Sequence, residues 1–200
     1  MNLTIRQARL SDLPYIYDIC RLTGENGNDS SDSISDNYII GQYFAAPYLH
    51  FELDACFVLD NGSVPVGYII GSSSIQKFNE WMNTSWLPSV RKYYGSDMIP
   101  KSDFELFLIN IINRDCEISD NLISYPSHLH IDLLPMVQNQ GYGKKLMKKF
   151  IETMASKGSS GIHLAVGLEN TNAIDFYKKN GFSEIKSESG AMFMGFNIKQ

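Results

Sequence analysis

The run H-L-H-I-D-L-L-P-M-V-Q-N-Q-G-Y-G-K-K-L-M-K-K-F-I-E-T-M, His128 to Met154, changes its periodicity partway along. Its first residues alternate as a strand does. Pro135 breaks that strand, because proline has no N–H for a ladder and fixes its own φ. A short turn carrying Gly141 and Gly143 follows. Leu146, Met147, Phe150, Ile151 and Met154 then recur at helical spacing, with Lys144, Lys145, Lys148 and Lys149 on the other side. A helix begins with N–H groups that lack carbonyl partners and with the positive end of its dipole, so a glycine-bearing entry is a ready site for phosphate. Glycine also tolerates positive φ and lets a ligand approach the backbone.

Two other phosphate loops are excluded. The pattern G-x-x-x-x-G-K-[ST] fails because Lys145 follows Lys144 and Gln138 stands five places before Gly143. The dinucleotide pattern G-x-G-x-x-G fails at Leu146, where its third glycine belongs. What remains is Q-x-x-G-x-G, from Gln138 to Gly143. Between a strand and a helix, it resembles the acyl-CoA loop of the GNAT superfamily of N-acetyltransferases, [RQ]-x-x-G-x-[GA].

E-N-T-N-A-I-D-F-Y-K-K-N-G-F, Glu169 to Phe182, is similar to the second signature of that superfamily, N-x-x-A-[IL]-x-[FL]-Y-x-K-x-G-F. The opening I-R-x-A-x-x-x-D-L is similar to its first strand and helix. More finely, R-Q-A-R-L-S-D-L-P-Y-I-Y-D-I-C-R, D-A-C-F-V-L, S-W-L-P and Y-P-S-H-L-H-I-D resemble the acetyltransferase-like domain found in animal O-GlcNAcase and its free-standing bacterial relatives. The acyl-CoA loop of the animal domain is degraded, whereas Gln138, Gly141 and Gly143 are intact here.

The resemblance implies an α/β (α+β) GNAT acyl-CoA N-acyltransferase fold over residues 1–200 as a single domain. Its central mixed, mostly antiparallel sheet carries helices on both faces and opens in a V between the fourth and fifth strands. A helical insert at about residues 75–126 precedes the fourth strand and is expected to lie as a cap over the acceptor side, or to add core. A length of 200 residues fits one domain, and 44% hydrophobic residues suffice for its core.

Along the chain, residues 2–8 read as a strand, and Ser11 or Asp12 as the cap of a helix. Residues 23–36 form a Gly/Asn/Asp/Ser-rich loop, mobile unless it closes over a ligand. Residues 38–46 read as a short helix, and 55–59 with 64–70 as a hairpin around D-N-G-S. Residues 162–168 read as a buried strand, 170–179 as a helix stopped at Asn180-Gly181, and 182–186 with 191–198 as closing strands.

A net charge of −5 argues against a broadly basic nucleic-acid surface and leaves a cationic amine electrostatically welcome. Cys20, Cys56 and Cys116, without C-x-x-C, fit reduced thiols in a cytoplasmic protein. No apolar run approaches the roughly 20 residues that span a bilayer, so neither membrane nor nucleic acid is an expected partner. A homodimer is left open.

The chemistry implied is direct transfer of an acetyl group from acetyl-CoA to a primary amine, which needs no covalent nucleophile and no metal. By resemblance, backbone groups around Leu133 and Leu134 engage pantetheine and the acetyl carbonyl. Gln138 belongs to the loop signature, and N–H groups of Gln140, Gly141, Tyr142, Gly143, Lys144 and Lys145 hold pyrophosphate, with the two lysine charges beside it. Asn170 matches a cofactor-contacting position, although it also suits a helix N-cap. Tyr177 matches the general acid toward the CoA sulfur, although it also fits an apolar stripe with Ala173 and Ile174.

Related enzymes often place an acid on the fifth strand near Ala165, which cannot serve. On the fourth strand, period two puts His128, His130 and Asp132 on one face. Asp132 is the first choice of base, directly or through water. His130 is the second, for its near-neutral ordinary pKa. H-x-H-x-D also permits a metal reading, for which no further ligand pattern stands. The acceptor stays open among small amines, peptides and proteins, and the alternative to an enzyme is a catalytically weak acyl-CoA-binding or protein-interaction module.

Overall fold

The computed structural model describes residues 2–198. Near the N-terminus, β1 (Thr4–Gln7) leads through a short turn into α1 (Leu13–Leu22), which buries Ile16, Ile19 and Cys20. Asp12 does not cap α1 with its side chain. Its carboxylate takes the Arg6 guanidinium through two hydrogen bonds of 2.7 and 2.8 Å, and the Arg9 N–H at 2.8 Å. Arg6 also reaches Asp60, which ties β1 and the α1 entry to the neighbouring strand.

The helix expected over residues 38–46 is broken and extended. It forms α2 (Ile39–Phe44) and α3 (Ala46–Phe51), because Pro47 has no N–H to continue a ladder. The hairpin of β2 (Phe57–Asp60) and β3 (Pro65–Ser72) lies where D-N-G-S places it. The Asn61 side chain accepts the N–H groups of Ser63 and Val64, and Gly62 takes φ +95°.

The insert forms α4 (Ile75–Trp81), a π-helical turn (Met82–Trp86), α5 (Leu87–Val90) and α6 (Asp103–Ile112). After it come β4 (Ser127–Leu133), α7 (Tyr142–Ser156), β5 (Gly161–Gly167), α8 (Thr171–Lys179), β6 (Ser183–Glu188) and β7 (Ala191–Asn197). Among the described residues the strands make one seven-stranded sheet in the order β1-β2-β3-β4-β5-β7-β6, antiparallel except for β4 with β5. Helices α7 and α8 cover one face, burying Leu146, Met147, Phe150 and Ile174 against Leu129, Ile162 and Leu164. Helices α1 to α3 cover the other.

The insert joins that second layer. Phe78, Met82, Leu87, Leu108 and Ile112 enter the same core as Ile16, Tyr48 and Tyr68, so it adds core. It also fixes the 23–36 loop. Glu105 of α6 is 0% exposed, and its carboxylate accepts the Ser35 N–H and hydroxyl and the Lys101 N–H at 2.5 to 2.7 Å. The Ser102 hydroxyl adds a bond of 2.6 Å to the Ser33 carbonyl.

Burial pushes the Glu105 pKa up, but the bonds from Ser35 and Lys101 outweigh it and hold the carboxyl below its ordinary 4.5. Its stabilising contribution is therefore complete above pH 4.5 and lost as pH falls through the lower folded value. Glu105→Ala strands these donors and is expected to cost about 2–4 kcal/mol. Thermal melts at neutral pH should show a Tm lower by roughly 10 °C, with residues 30–36 losing amide-exchange protection first. A melt like that of the wild type would contradict this role.

Candidate active site

Strands β4 and β5 pair in parallel at Ser127 with Ile162 and at His128 with His163, and beyond these positions no pairing continues among the described residues. Each keeps its antiparallel partner on the far side, β4 as far as Leu133 and β5 as far as Gly167. The sheet is thus split in a V whose walls carry free backbone edges. At the open end of the β4 wall, the chain turns through Pro135–Val137 into α7.

The turn takes positive φ at Asn139 (59°) and Gly141 (80°), the latter as N-cap of α7. The Gln138 amide donates to the Leu133 carbonyl at 2.8 Å, and the Gln140 amide to the Met136 carbonyl at 2.9 Å. Both glutamine side chains therefore shape the loop. Tyr142, Gly143 and Lys144 open α7, and their N–H groups find no acceptor among the described residues. A Cβ on Gly143 would stand 3.1 Å from Phe176 and 3.3 Å from Leu133, so the first turn is seated tightly between α8 and β4. Lys144 and Lys145 are exposed, the latter with its Nζ 4.5 Å from the Tyr142 ring centre. These features suit a diphosphate at the helix end with an extended thioester arm along β4.

On the polar face of β4, the Tyr68 hydroxyl donates to Asp132 Oδ2 at 2.6 Å. Burial pushes the Asp132 carboxyl from 3.8 up to about 6, and the hydroxyls of Tyr68 and Thr23 temper the rise. The Thr23 proton is already given to the Ile19 carbonyl at 2.7 Å, so Tyr68 is the donor that matters. His130 departs from expectation. It sits edge-on to Phe44 and Tyr48 at ring-centre distances of 5.4 and 5.3 Å, where burial, then the charge of His163, push its pKa down to about 4. The near-neutral titration that recommended it as a base is lost.

His128 is hydrogen-bonded to the Tyr48 hydroxyl at 2.8 Å and is likewise held uncharged by burial. His163 of β5 packs on His128 at 4.8 Å, and its Nδ1 meets the Tyr125 carbonyl at 2.6 Å and so must carry the proton. His163 carries no motif that marks it in the sequence, although period two puts it on the same face as Ala165. Among the described residues no group of three or more His, Cys, Asp or Glu side chains is placed to hold a metal ion.

Tyr177 comes from α8. Its ring packs between Phe176 and Phe182, and burial, then the charge of Asp132, raise its pKa, so the phenol keeps its proton. Its hydroxyl makes no hydrogen bond among the described residues. Asn170 caps α8, its Oδ1 accepting the Ala173 N–H at 3.1 Å. Its Nδ2 lies 3.7 Å from where a Cβ on Gly27 would stand, and Asn26 of the same loop crowds Gly167 at the end of β5. Asn26 and Gly27 thus lie against the end of β5 and the start of α8.

Residues 117–182, which carry β4, the turn into α7, β5 and α8, match the acetyltransferase (GNAT) family. The chain is 25% identical over 190 residues to protein O-GlcNAcase of Rattus norvegicus, a match covering 94% of the chain and 21% of that protein. It therefore spans about a fifth of the length of this curated relative. The crystal structure of SsHAT is 33% identical, superposes with a TM-score of 0.91 and is covered, like this chain, over 100% of its length. A PaiA N-acetyltransferase from Thermoplasma acidophilum, solved in complex with coenzyme A, shares the fold at 17% identity with a TM-score of 0.60, over 98% of this chain and 99% of its own. The seven-stranded sheet, its split between β4 and β5 and these likenesses agree: the chain belongs to the acetyltransferase (GNAT) family, whose common chemistry is acyl transfer.

Proposed function

We propose that this chain transfers an acetyl group from acetyl-CoA to a primary amine, directly, in a ternary complex. The observation that carries the reading is the split between β4 and β5, which leaves free strand edges next to the unpartnered N–H groups at the α7 start, with Asp132 on β4 and Tyr177 on α8 near enough for the carboxylate charge to act on the phenol. Acetyl-CoA, when bound, supplies the activated acyl group as a thioester. The N–H groups of the first turn of α7, with Lys144 and Lys145, hold its phosphates, and the free edge of β4 at Leu133 and Leu134 takes the pantetheine arm and polarises the carbonyl.

Asp132, ionised above about pH 6, receives the proton of the attacking amine, directly or through water. Tyr177, which keeps its proton throughout the working pH range, gives it to the departing sulfur. His128, His130 and His163 stay uncharged at neutral pH and line the acceptor side without repelling a cationic amine. Cys20, Cys56 and Cys116 are free thiols, in keeping with a cytoplasmic setting. No helix among the described residues is long and apolar enough to cross a membrane.

Thermal stabilisation by acetyl-CoA, together with thiol release on a panel of primary amines, tests the reading. Both are expected. Stabilisation without release on any amine would leave an acyl-CoA-binding module, and no stabilisation would remove the cofactor reading itself. Gly143→Val checks where the cofactor sits. Its side chain would collide with Phe176 and Leu133, shifting the first turn of α7. Calorimetric titration should show acetyl-CoA binding weakened by roughly tenfold to a hundredfold. Unchanged affinity would move the phosphate site away from α7.

A further inference from the structure

Away from the β4–β5 opening, the end of the 23–36 loop, α2 and the insert enclose a second concavity of about 430 Å³. Its walls include the rings of Tyr38, Trp86, Tyr93 and Tyr94, with the carboxylate of Asp36 beside them. None of these residues belongs to the acyl-transfer site described above.

The rings are held in place. Tyr38, 55% exposed, stands edge-on against Tyr17 at 5.2 Å. The Trp86 indole N–H donates to the Gln42 carbonyl at 2.8 Å, and the Tyr94 hydroxyl to Asp36 Oδ2 at 3.0 Å. Tyr93 is 82% exposed and forms the open side. Asp36 is half-buried, accepts the Tyr38 N–H at 2.8 Å through its other oxygen, and forms no ion pair among the described residues.

Aromatic faces carry negative charge and attract cations, most strongly where water is partly excluded. A neutral apolar ligand would strip water from Asp36 and return nothing, and an anion would meet both the carboxylate and the ring faces. An alkylated ammonium group satisfies both, its charge against Asp36 and its methylenes against the rings. We infer that this groove binds an alkylammonium group, delivered as a lysine side chain or as a free aliphatic amine, at a site separate from the acetyl acceptor.

The test reads the indole N–H resonance of Trp86, told apart from that of Trp81 with a Trp81→Phe variant. The probes are n-butylammonium, a blocked lysine tripeptide and its neutral norleucine counterpart. The two cations are expected to shift the Trp86 resonance saturably while the norleucine peptide leaves it in place. Asp36→Asn, whose oxygen can accept the Tyr38 N–H while its NH2 donates to the Tyr94 hydroxyl oxygen, should weaken cation binding by about tenfold. Tyr93→Ala, at an exposed position that the fold does not need, should weaken it by about threefold.

Because amines also enter the proposed acceptor side, Asp36→Asn must leave acetyl transfer unchanged. Tighter binding of the lysine peptide than of n-butylammonium assigns the site to polypeptide, and equal binding to free amines. The inference is overturned if the norleucine peptide matches the lysine peptide, if Asp36→Asn binds cations like the wild type, or if no cation moves the resonance.

Discussion

Tyr177→Phe is expected to lower kcat for acetyl transfer by about 10²–10⁴-fold while leaving acetyl-CoA affinity and Tm close to those of the wild type. The phenol loses no native hydrogen bond in this exchange, because its hydroxyl has none among the described residues, and phenylalanine keeps the packing between Phe176 and Phe182. What disappears is the proton for the departing thiolate. A poor leaving group then limits the reaction, and the loss should shrink with acyl donors whose thiols are more acidic. Steady-state rates with two such donors check this. Equal rates for variant and wild type would return Tyr177 to an ordinary core position.

Asp132→Asn comes second in expected effect, with a kcat/KM lower by about 10²-fold or more. For the wild type, kcat/KM should climb with pH, bend near pH 6 where the carboxyl ionises, and then level. The variant should lack that limb. Its stability moves the other way. The Asp132 pKa is raised in the fold, so its favourable contribution is present below the ordinary 3.8 and lost as pH rises through about 6. Removing the charge therefore does not lower Tm at pH 8, and asparagine still offers an oxygen to Tyr68. A variant that unfolds early but works once folded would assign Asp132 to structure instead of chemistry.

The parts of the site legible in sequence are those set by local stereochemistry. Pro135 and Gly141 dictate where β4 stops and α7 starts, and period two alone puts Asp132 on the polar face. The rest depends on residues far along the chain. His130 loses its near-neutral titration to Phe44 and Tyr48, which arrive from α2 and α3. Glu105 has no local pattern that marks it as buried, and its partner Ser35 lies 70 positions earlier. Asp12 has the spacing of a helix cap, yet Arg6 offers a stronger, two-bonded partner. Gln138 and Gln140 stand in the loop signature, and the Leu133 and Met136 carbonyls, which the signature does not specify, take their side-chain amides. For His130 and Asp12 a short-range rule described the residue and was silent about its competitor.

Direct transfer from thioester to amine, with Asp132 as base and Tyr177 as acid, is tested most closely by rapid-quench single turnover, with isotopically labelled acetyl-CoA and a responsive primary amine. Label is expected to move from thioester to amine in one phase, with CoA thiol appearing at the same rate and no label on the protein. Label on the protein before it reaches the amine, or thiol release that ignores the amine, would contradict it.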